Sequence, residues 1–471
     1  MKEAASTTEF KASLSLLDAT MIVSGSMIGS GIFIVSADIA RSLGSSGYLM
    51  LTWVLSAILT TLAALSYGEL AGMMPRAGGQ YVYLREAYNP LVGFLFGWTQ
   101  FTVIQTGTIA AVAVAFAKFT AVFFPFFSPE NILLDLGLVK ISAAQSLAIA
   151  SLILLTLWHT RGIQGGKTLQ TIFTAAKLIA LLGLILLGVF IGFNSEIWAQ
   201  NWQNPWNAGT LAADGQFTPL YGVAIATALG AAMVGSLFSS DAWNNVTFIA
   251  GEIKNPKQNI PLSLFFGTLV VGLLYILTNI VFLGLLPLQD IAYAANDRVG
   301  TAAAGAIFGN SAVFIMAGLI MVSTFGCNNG LTLSGARLCY AMAKDKLFLA
   351  KAGTLNQNGV PAWALYVQLI WSSVLCLSGT YGALLDYTIF AALLFYVLTV
   401  AGIYRLRKSQ PDAERPYKAF GYPILPAIYM ICASAIALVL LIYKSENTLP
   451  GLLVVLLGIP VYYFTQKSAK K

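Results

Sequence analysis

Residues 25–33, with the sequence GSMIGSGIF, place three glycines and two serines inside a long apolar run. Both residue types are poor helix formers, so we expect a membrane helix to unwind here. Unwound backbone in hydrocarbon must pair with protein or with a polar ligand. The N–H groups from Ile28 to Gly31, at the positive end of the following half-helix, suit a carboxylate. The alternative is close helix packing through small residues, but the density of glycine favours a break.

A second stretch of this kind, GSLFSSDAWNN at residues 235–245, follows about 210 residues later. Ser, Asp and Asn side chains compete for backbone hydrogen bonds, so this run should also unwind. Carbonyl groups released near Phe238, Ser239 and Ser240 would accept hydrogen bonds from an ammonium group. A carboxylate site beside an ammonium site recognises the constant part of an α-amino acid.

The residues expected to contact such a ligand lie in both stretches. They are Ser26, Met27, Ile28, Gly29, Ser30, Gly31, Phe238, Ser239, Ser240 and Asp241. Phe238 is a candidate lid over the ligand, although packing in the core or against lipid explains it equally well. Asp241 would attract an amine or cap the next half-helix through Asn244, and we favour the cap.

Lys177 lies deep in an apolar run, where a charge costs at least about 2.5 kcal/mol. One interpretation is that its side chain reaches the membrane surface. We favour the other, in which the ammonium holds carbonyl groups of the broken first helix against the eighth span, in the place of a coupling Na⁺.

The composition identifies the class of protein that these stretches belong to. The chain has 471 residues, of which 58% are hydrophobic and 10% charged, whereas soluble proteins have about 25% charged residues. Unbroken apolar runs exclude an outer-membrane barrel, whose strands alternate apolar and polar residues. The four cysteines have no metal-ligand spacing and the single histidine, His159, excludes a multi-histidine metal site. We predict no cofactor, no metal and no nucleic-acid partner, and a lipid bilayer as the surroundings.

Twelve apolar runs are long enough to span a membrane. They are residues 14–41, 48–73, 91–123, 142–160, 168–193, 220–251, 260–286, 303–341, 362–379, 384–404, 423–443 and 448–465. We therefore predict an all-α polytopic membrane protein of twelve transmembrane helices, with helices 1 and 6 broken.

The basic residues predict the orientation of these spans. Of the 26 Lys and Arg residues, only five fall in the predicted outer loops: Arg41, Lys118, Lys140, Arg298 and Lys444. This asymmetry predicts that both termini are cytoplasmic.

The two interrupted spans begin two units of five spans each, which points to a 5+5 inverted repeat with the substrate site at mid-membrane between the breaks. The predicted divisions are a cytoplasmic tail at 1–13, a first repeat at 14–193, an outer loop at 194–219, a second repeat at 220–408, and helices 11 and 12 with the C-terminal tail at 409–471.

Seven blocks of sequence, in order, resemble the amino acid/polyamine/organocation superfamily, and more closely its L-amino acid transporter branch. They are residues 25–33, 67–70 with 75–79, 173–177, 238–243, 252–256, 323–326 with Arg337, and 415–417 with 421–423. The resemblance implies the inverted-repeat fold and alternating access, in which spans one, two, six and seven rock against spans three, four, eight and nine.

The resemblance also implies roles for particular residues. Phe238 would be the aromatic gate, Asn244 a contact near the substrate amine, and Lys177 the lysine that ties the first span to the eighth near Cys327. Animal members that pair with a glycoprotein heavy chain carry a cysteine between spans three and four, and residues 124–141 contain none. We therefore expect a stand-alone protein of a bacterial inner membrane, without a disulfide-linked heavy chain.

The expected function is Na⁺-independent exchange of neutral L-amino acids, with no covalent chemistry. One rival is a proton-coupled transporter or exchanger of cationic amino acids or polyamines. The other, from a different class, is a membrane sensor that does not transport.

Overall fold

The computed structural model describes residues 12–76, 78–135, 140–378 and 381–469, so most of the predicted N-terminal tail lies outside the described residues. The described chain is mainly helical, and its cysteines are all free thiols. Its α-helices are α1 Leu16–Met27, α2 Gly31–Leu43, α3 Ser46–Met73, α4 Gln80–Ala87, α5 Pro90–Thr99, α6 Gln105–Thr120, α7 Ala143–His159, α8 Ile163–Leu187, α9 Ser195–Asn201, α10 Val223–Ser239, α11 Asn245–Phe248, α12 Pro256–Leu285, α13 Leu288–Ala292, α14 Val299–Phe308, α15 Asn310–Lys344, α16 Ala362–Ser378, α17 Tyr381–Ser409, α18 Ile424–Tyr443 and α19 Ser445–Ala469.

Two short π-helical segments, Gln100–Ile104 and Gly188–Gly192, continue α5 into α6 and extend α8. In the described residues, four short strands form two antiparallel pairs in loops. They are β1 Ile132–Asp135 with β2 Lys140–Ser142, and β3 Gly209–Leu211 with β4 Phe217–Pro219.

Eight helical segments in the described chain are long and apolar enough to cross a membrane, and α1 with α2 makes a ninth if the pair is one span. The eight are Ser46–Met73, Pro90–Thr120, Ile172–Gly192, Pro256–Leu285, Ser311–Lys344, Leu384–Ser409, Ile424–Tyr443 and Ser445–Thr465. Four shorter apolar helices accompany them: Ala143–His159, Val223–Ser239, Val299–Phe308 and Ala362–Leu377. The protein is therefore a multi-pass helical membrane protein.

The first predicted interruption is present between α1 and α2, which bend by 40°. Ser15 starts α1 with a capping box, since its side chain accepts from the Asp18 amide and Asp18 accepts from the Ser15 amide. The helix ends at Met27 because Ile28 is extended, with φ −73° and ψ 95°. The chain becomes helical again at Gly31.

The second predicted interruption follows α10. This helix ends at Ser239, the next five residues are not helical, and Ala242 has a left-handed φ of 65°. A non-glycine residue rarely adopts this conformation, so it marks a sharp change in chain direction. The short helix α11 then begins at Asn245.

The predicted eighth span, 303–341, is not one helix. Gly309 has a φ of 70° and separates α14 from α15, so the long helix begins at Asn310. Asn310 and Ser311 follow Gly309 directly, and a glycine with left-handed backbone ends the helix that precedes it. The residues before the break pack on α2, since a Cβ at Gly300 would lie 2.6 Å from the Phe33 ring.

Candidate functional site

The two helix interruptions lie directly against each other in the bundle. A Cβ added to Gly31 would lie 2.1 Å from the Ser239 hydroxyl oxygen, so only glycine fits there. The hydroxyl of Tyr275, on α12, is 3.1 Å from the Met27 carbonyl oxygen and 3.0 Å from that of Ser239. One phenol proton is therefore shared between the ends of α1 and α10. Sequence reasoning missed Tyr275, although a buried polar aromatic residue in an apolar span was a usable signal.

The N–H side of the site is formed by the start of α2. The first N–H groups of a helix have no acceptor within it, and no side chain of Ser30 caps this helix. Ile28, however, already donates its amide to the Ser24 carbonyl at 2.9 Å. Its N–H was predicted to bind a ligand, and the continuing helical bond of α1 uses it instead. Of the predicted donors from Ile28 to Gly31, the Ile28 amide is therefore the one that a bond within α1 occupies.

The carbonyl groups at the end of α1 accept hydrogen bonds from side chains of other helices. Lys177 Nζ donates to the Gly25 carbonyl at 2.6 Å, and Cys327 Sγ donates to the Ser26 carbonyl at 3.0 Å. The predicted contact of this lysine with the first helix, close to the cysteine of the eighth span, is thus present. Lys177 is 1% exposed, so its side chain does not reach the membrane surface.

The carbonyl groups of Ile28 and Gly29, in the first interruption, face α15. The hydroxyl of Ser323 lies 3.4 Å from the carbonyl oxygens of both Ile28 and Gly29. Among the described residues, none pairs with the buried hydroxyl of Ser26. That hydroxyl is a polar group at the site without a protein partner, as a ligand-binding group would be.

Some of the carbonyl groups at the second interruption already accept hydrogen bonds from the protein. The Asp241 amide donates to the Phe238 carbonyl at 3.1 Å, and Ser239 has the Tyr275 contact. No described residue donates to the Ser240 carbonyl. Each carbonyl oxygen has two lone pairs, so those of Ser239 and Ser240 retain capacity for an ammonium group.

The predicted cap of α11 by Asp241 is wrong. Asp241 Oδ1 accepts from the Tyr396 hydroxyl of α17 at 2.5 Å, and α11 has no side-chain cap. The left-handed backbone at Ala242 turns the chain after Asp241 and leaves the carboxylate facing α17. Asp241 is buried, as are Ser240 and Phe238.

Asn244 lies in a chain of buried amides and hydroxyls rather than alone. Its Nδ2 donates to Gln80 Oε1 at 2.9 Å, and Gln80 Nε2 donates to Thr399 Oγ1 at 3.0 Å. The second interruption is thereby connected to α4 and α17.

A cavity of about 630 Å³ opens on one side of the interruptions. Its walls include Ile34 and Val35, one turn after the start of α2, and Val234 and Gly235, one turn before the end of α10. At the second interruption itself, Ser240 and Asp241 line a cavity of only about 20 Å³, which is room for one water molecule. The large cavity therefore ends about one turn short of the interruptions, and no described residue lines both cavities.

On the side opposite the large cavity, the N-terminal end of α1 is packed against residues 252–254, which close that side of the bundle. The amides of Ser13 and Leu14 both donate to the Glu252 carbonyl at 2.9 Å, and the Lys254 amide donates to the Leu14 carbonyl at 2.8 Å. The buried side chain of Glu252 pairs with Arg337 at 2.8 Å. The interruptions thus lie between an open cavity and a closed end.

Two facing broken helices between one open and one closed side are the arrangement of a solute carrier, and comparison with known families identifies the kind. The amino acid permease family model matches residues 14–461. The chain belongs to the amino acid permease family. It is an amino acid transporter of the wider amino acid/polyamine/organocation superfamily, and it is not an enzyme.

Characterised relatives extend over most of the chain. The serine/threonine exchanger SteT of Bacillus subtilis is 29% identical over 460 residues, covering 97% of each chain. The b(0,+)-type amino acid transporter 1 of Mus musculus is 29% identical over 436 residues, 91% of this chain and 82% of the relative. The large neutral amino acids transporter small subunit 2 of the same species is 28% identical over 460 residues, 96% and 81% of the two chains.

Proposed function

We propose that this permease exchanges neutral L-amino acids across the membrane by alternating access, without Na⁺. The observation that carries the proposal is the contact between the two interruptions, Gly31 against Ser239, which puts the donors of one beside the acceptors of the other. An α-amino acid is the small ligand whose two charged groups match that pair. The names of the relatives, which include a serine/threonine exchanger, agree with this class of substrate.

In this proposal the substrate carboxylate binds the N–H groups from Gly29 to Gly31 and the Ser26 hydroxyl, beside Met27. The substrate ammonium binds the carbonyl groups of Phe238, Ser239 and Ser240. Phe238, in the last turn of α10, closes over the bound substrate, and Asn244 lies near its amine.

Independence from Na⁺ follows from what covers the carbonyl groups of the first interruption. Na⁺ needs several oxygen ligands, and unwound carbonyl groups are a usual source in transporters. Here a lysine ammonium and a thiol occupy the Gly25 and Ser26 carbonyls. A second cation beside Lys177 would be repelled in a medium of low dielectric constant.

The proposed architecture has twelve spans in a 5+5 inverted repeat with two trailing helices. The nine long spans and three of the shorter apolar helices, α7, α10 and α16, supply that number, while α14 belongs to the loop before the eighth span. The repeats are residues 14–193 and 220–408, joined by the outer loop 194–219 and followed by 409–471. We place both termini in the cytoplasm of a bacterial cell, with no heavy-chain partner.

The second candidate function is transport of cationic amino acids, and Asp241 is the observation that favours it. This buried carboxylate lies at the second interruption, and within the described chain no lysine or arginine pairs with it. The Tyr396 hydroxyl and the Ala242 amide donate to this carboxylate. A carboxylate has about four acceptor sites, so it retains capacity for a cationic side chain. A sensor without transport has no comparable support in the structure.

Counterflow into proteoliposomes tests the proposal. Vesicles are loaded with one unlabelled neutral amino acid, and labelled serine, leucine or arginine is added outside, with Na⁺ or choline and at acidic or neutral pH. We expect uptake of neutral amino acids only into loaded vesicles, equal in Na⁺ and choline. Uptake into empty vesicles that requires a Na⁺ or proton gradient would contradict exchange. Preferred uptake of arginine, lost in Asp241→Asn, would favour the second candidate.

A further inference from the structure

A second concave surface, remote from the interruptions, lies between α3, α12 and the segment that joins α17 to α18. It is a groove of about 580 Å³. Its apolar walls include Leu65, Leu262, Phe265 and Phe420, and its polar groups include Lys257 and Lys418. We call it the α3–α12 groove.

The wall that comes from the connecting segment is held by one buried carboxylate. Glu69, on α3, accepts from the Ala419 amide at 2.7 Å and from Arg407 at 2.6 and 2.9 Å. Arg415 approaches the same carboxylate at 3.3 Å. Buried charge-assisted bonds of this kind fix geometry, so the groove is a formed feature.

Close packing forms the floor of the groove. A Cβ at Gly68 would lie 2.9 Å from the Tyr417 ring and 3.3 Å from Pro261. Glycine at this position therefore lets the connecting segment and α12 approach α3. The blocks around Gly68 and Tyr417 were noted in the sequence, and the transport mechanism uses neither.

The chemistry of the groove changes along α12. Lys257 is in the first turn of the helix, and Phe265 lies eight residues further, about 12 Å along the axis. Charged groups thus lie at the helix end and apolar ones deeper in the bundle. Leu262 is 42% exposed and Phe420 is 66% exposed within the protein, which is the surface that a lipid chain would cover.

The lysines of the groove are available to an anion. Lys257 pairs with Glu414 at 2.7 Å, but both side chains are largely exposed, at 49% and 72%. Such a pair is weak in water and a phosphate can replace it. Lys418 is exposed and has no ion pair among the described residues. Basic pockets between helices, on the side that the basic residues predict to be cytoplasmic, bind anionic lipid headgroups.

We propose that the α3–α12 groove binds one anionic phospholipid, with its phosphate at Lys257 and Lys418 and an acyl chain along Leu65, Leu262 and Phe265. The lysines at the helix end are complementary to a phosphate, and the exposed apolar wall below them is complementary to an acyl chain. A phospholipid carries these two groups in the same order. The site is separate from the amino acid site, so it stands whether or not the exchange assignment holds.

Native mass spectrometry of the full-length protein in detergent tests the proposal, by titration with phosphatidylglycerol or with phosphatidylcholine of the same acyl chains. We expect one phosphatidylglycerol to bind in preference to phosphatidylcholine. Each lysine near an anionic surface multiplies affinity by roughly five. Lys257→Gln with Lys418→Gln should therefore lower the affinity for phosphatidylglycerol roughly twenty-five-fold.

Matched variants separate the groove from general charge effects. Lys344→Gln with Lys346→Gln removes two exposed lysines of the same predicted face and should leave binding unchanged. Leu262→Trp fills the groove, keeps both lysines and should also abolish the preference. Lys418→Gln alone removes no hydrogen bond or ion pair among the described residues. It therefore tests the contribution of Lys418 to headgroup binding even if the double variant unfolds. Equal binding of the two lipids, or undiminished binding in Lys418→Gln and Leu262→Trp, would overturn the proposal.

Discussion

The two helix interruptions meet at one point but are held in different ways. At the first, side chains from three other helices reach the carbonyl groups at residues 25–29: Lys177 from α8, Cys327 and Ser323 from α15, and Tyr275 from α12. At the second, much of the shape comes from the chain itself. The Ser240 amide donates to the Ser236 carbonyl at 3.0 Å, and the Asp241 amide to that of Phe238.

This difference shows that the first interruption depends more on contacts with other helices than the second does. The first is an unwound segment whose shape α8, α12 and α15 impose, whereas the second keeps local backbone bonds and uses side chains, Asp241 and Asn244, to reach α17 and α4. Removing a partner should therefore damage the first interruption more than the second.

The largest effect is expected from Lys177→Ala. A buried charge-assisted hydrogen bond contributes about 1.5–3 kcal/mol, so the counterflow rate should fall at least about tenfold while the protein level is retained. Ile179→Ala, at a position 69% exposed on the same helix, is the control and should transport normally. A normal rate in Lys177→Ala would mean that the first interruption does not need this partner.

A smaller loss is expected from Gly31→Ala, which acts on the contact between the interruptions. The new methyl group would overlap the Ser239 hydroxyl, and such overpacking costs about 1–3 kcal/mol. Thermal unfolding in detergent and the counterflow KM should both change. Gly183→Ala is the matched control because nothing lies within 4 Å of its added Cβ.

Adding Ser239→Gly to Gly31→Ala removes the nearest clashing atoms and should restore part of the stability. If Gly31→Ala alone behaves like Gly183→Ala, the two interruptions are further apart in the working protein than the fold implies.

The smallest effect is expected from Tyr275→Phe. It removes one hydroxyl shared by two carbonyl groups, worth about 1 kcal/mol, or roughly a fivefold change in counterflow. Because this hydroxyl serves both interruptions, the loss should be smaller in a Gly31→Ala background, where their contact is already disturbed. Strict additivity of the two free-energy changes would argue against a joint role.

Composition and residue type predicted the two interruptions and the contact of Lys177 with the first. These features follow from local helix propensity and from the cost of an unpaired charge in hydrocarbon. The interruptions need no knowledge of which helix faces which. The charge of Lys177 predicts only that it has a buried partner, and the resemblance to the superfamily implied that this partner is the first span.

Other features of the site could not be predicted because they depend on which side chains the folded chain brings together. Asp241 was expected to cap α11, but the left-handed Ala242 turns its carboxylate to Tyr396, more than 150 residues away in sequence. Gly309 is different, because Asn310 and Ser311 directly after it are a local turn signal inside a mainly apolar run. Tyr275 is a polar aromatic residue in an apolar span, which signals a buried partner, but the sequence does not indicate that it reaches both interruptions.

The start of α2 has a further consequence for the bound state. Ser30 provides no side-chain hydrogen bond to the helix that begins after it, and a missing N-cap costs a helix about 1 kcal/mol. A substrate carboxylate there would serve as that cap, supplied from solution and carried away at each turnover. Folding of the first turn of α2 and binding of substrate would then be one coupled equilibrium, and the transported molecule would be a temporary part of the protein's secondary structure.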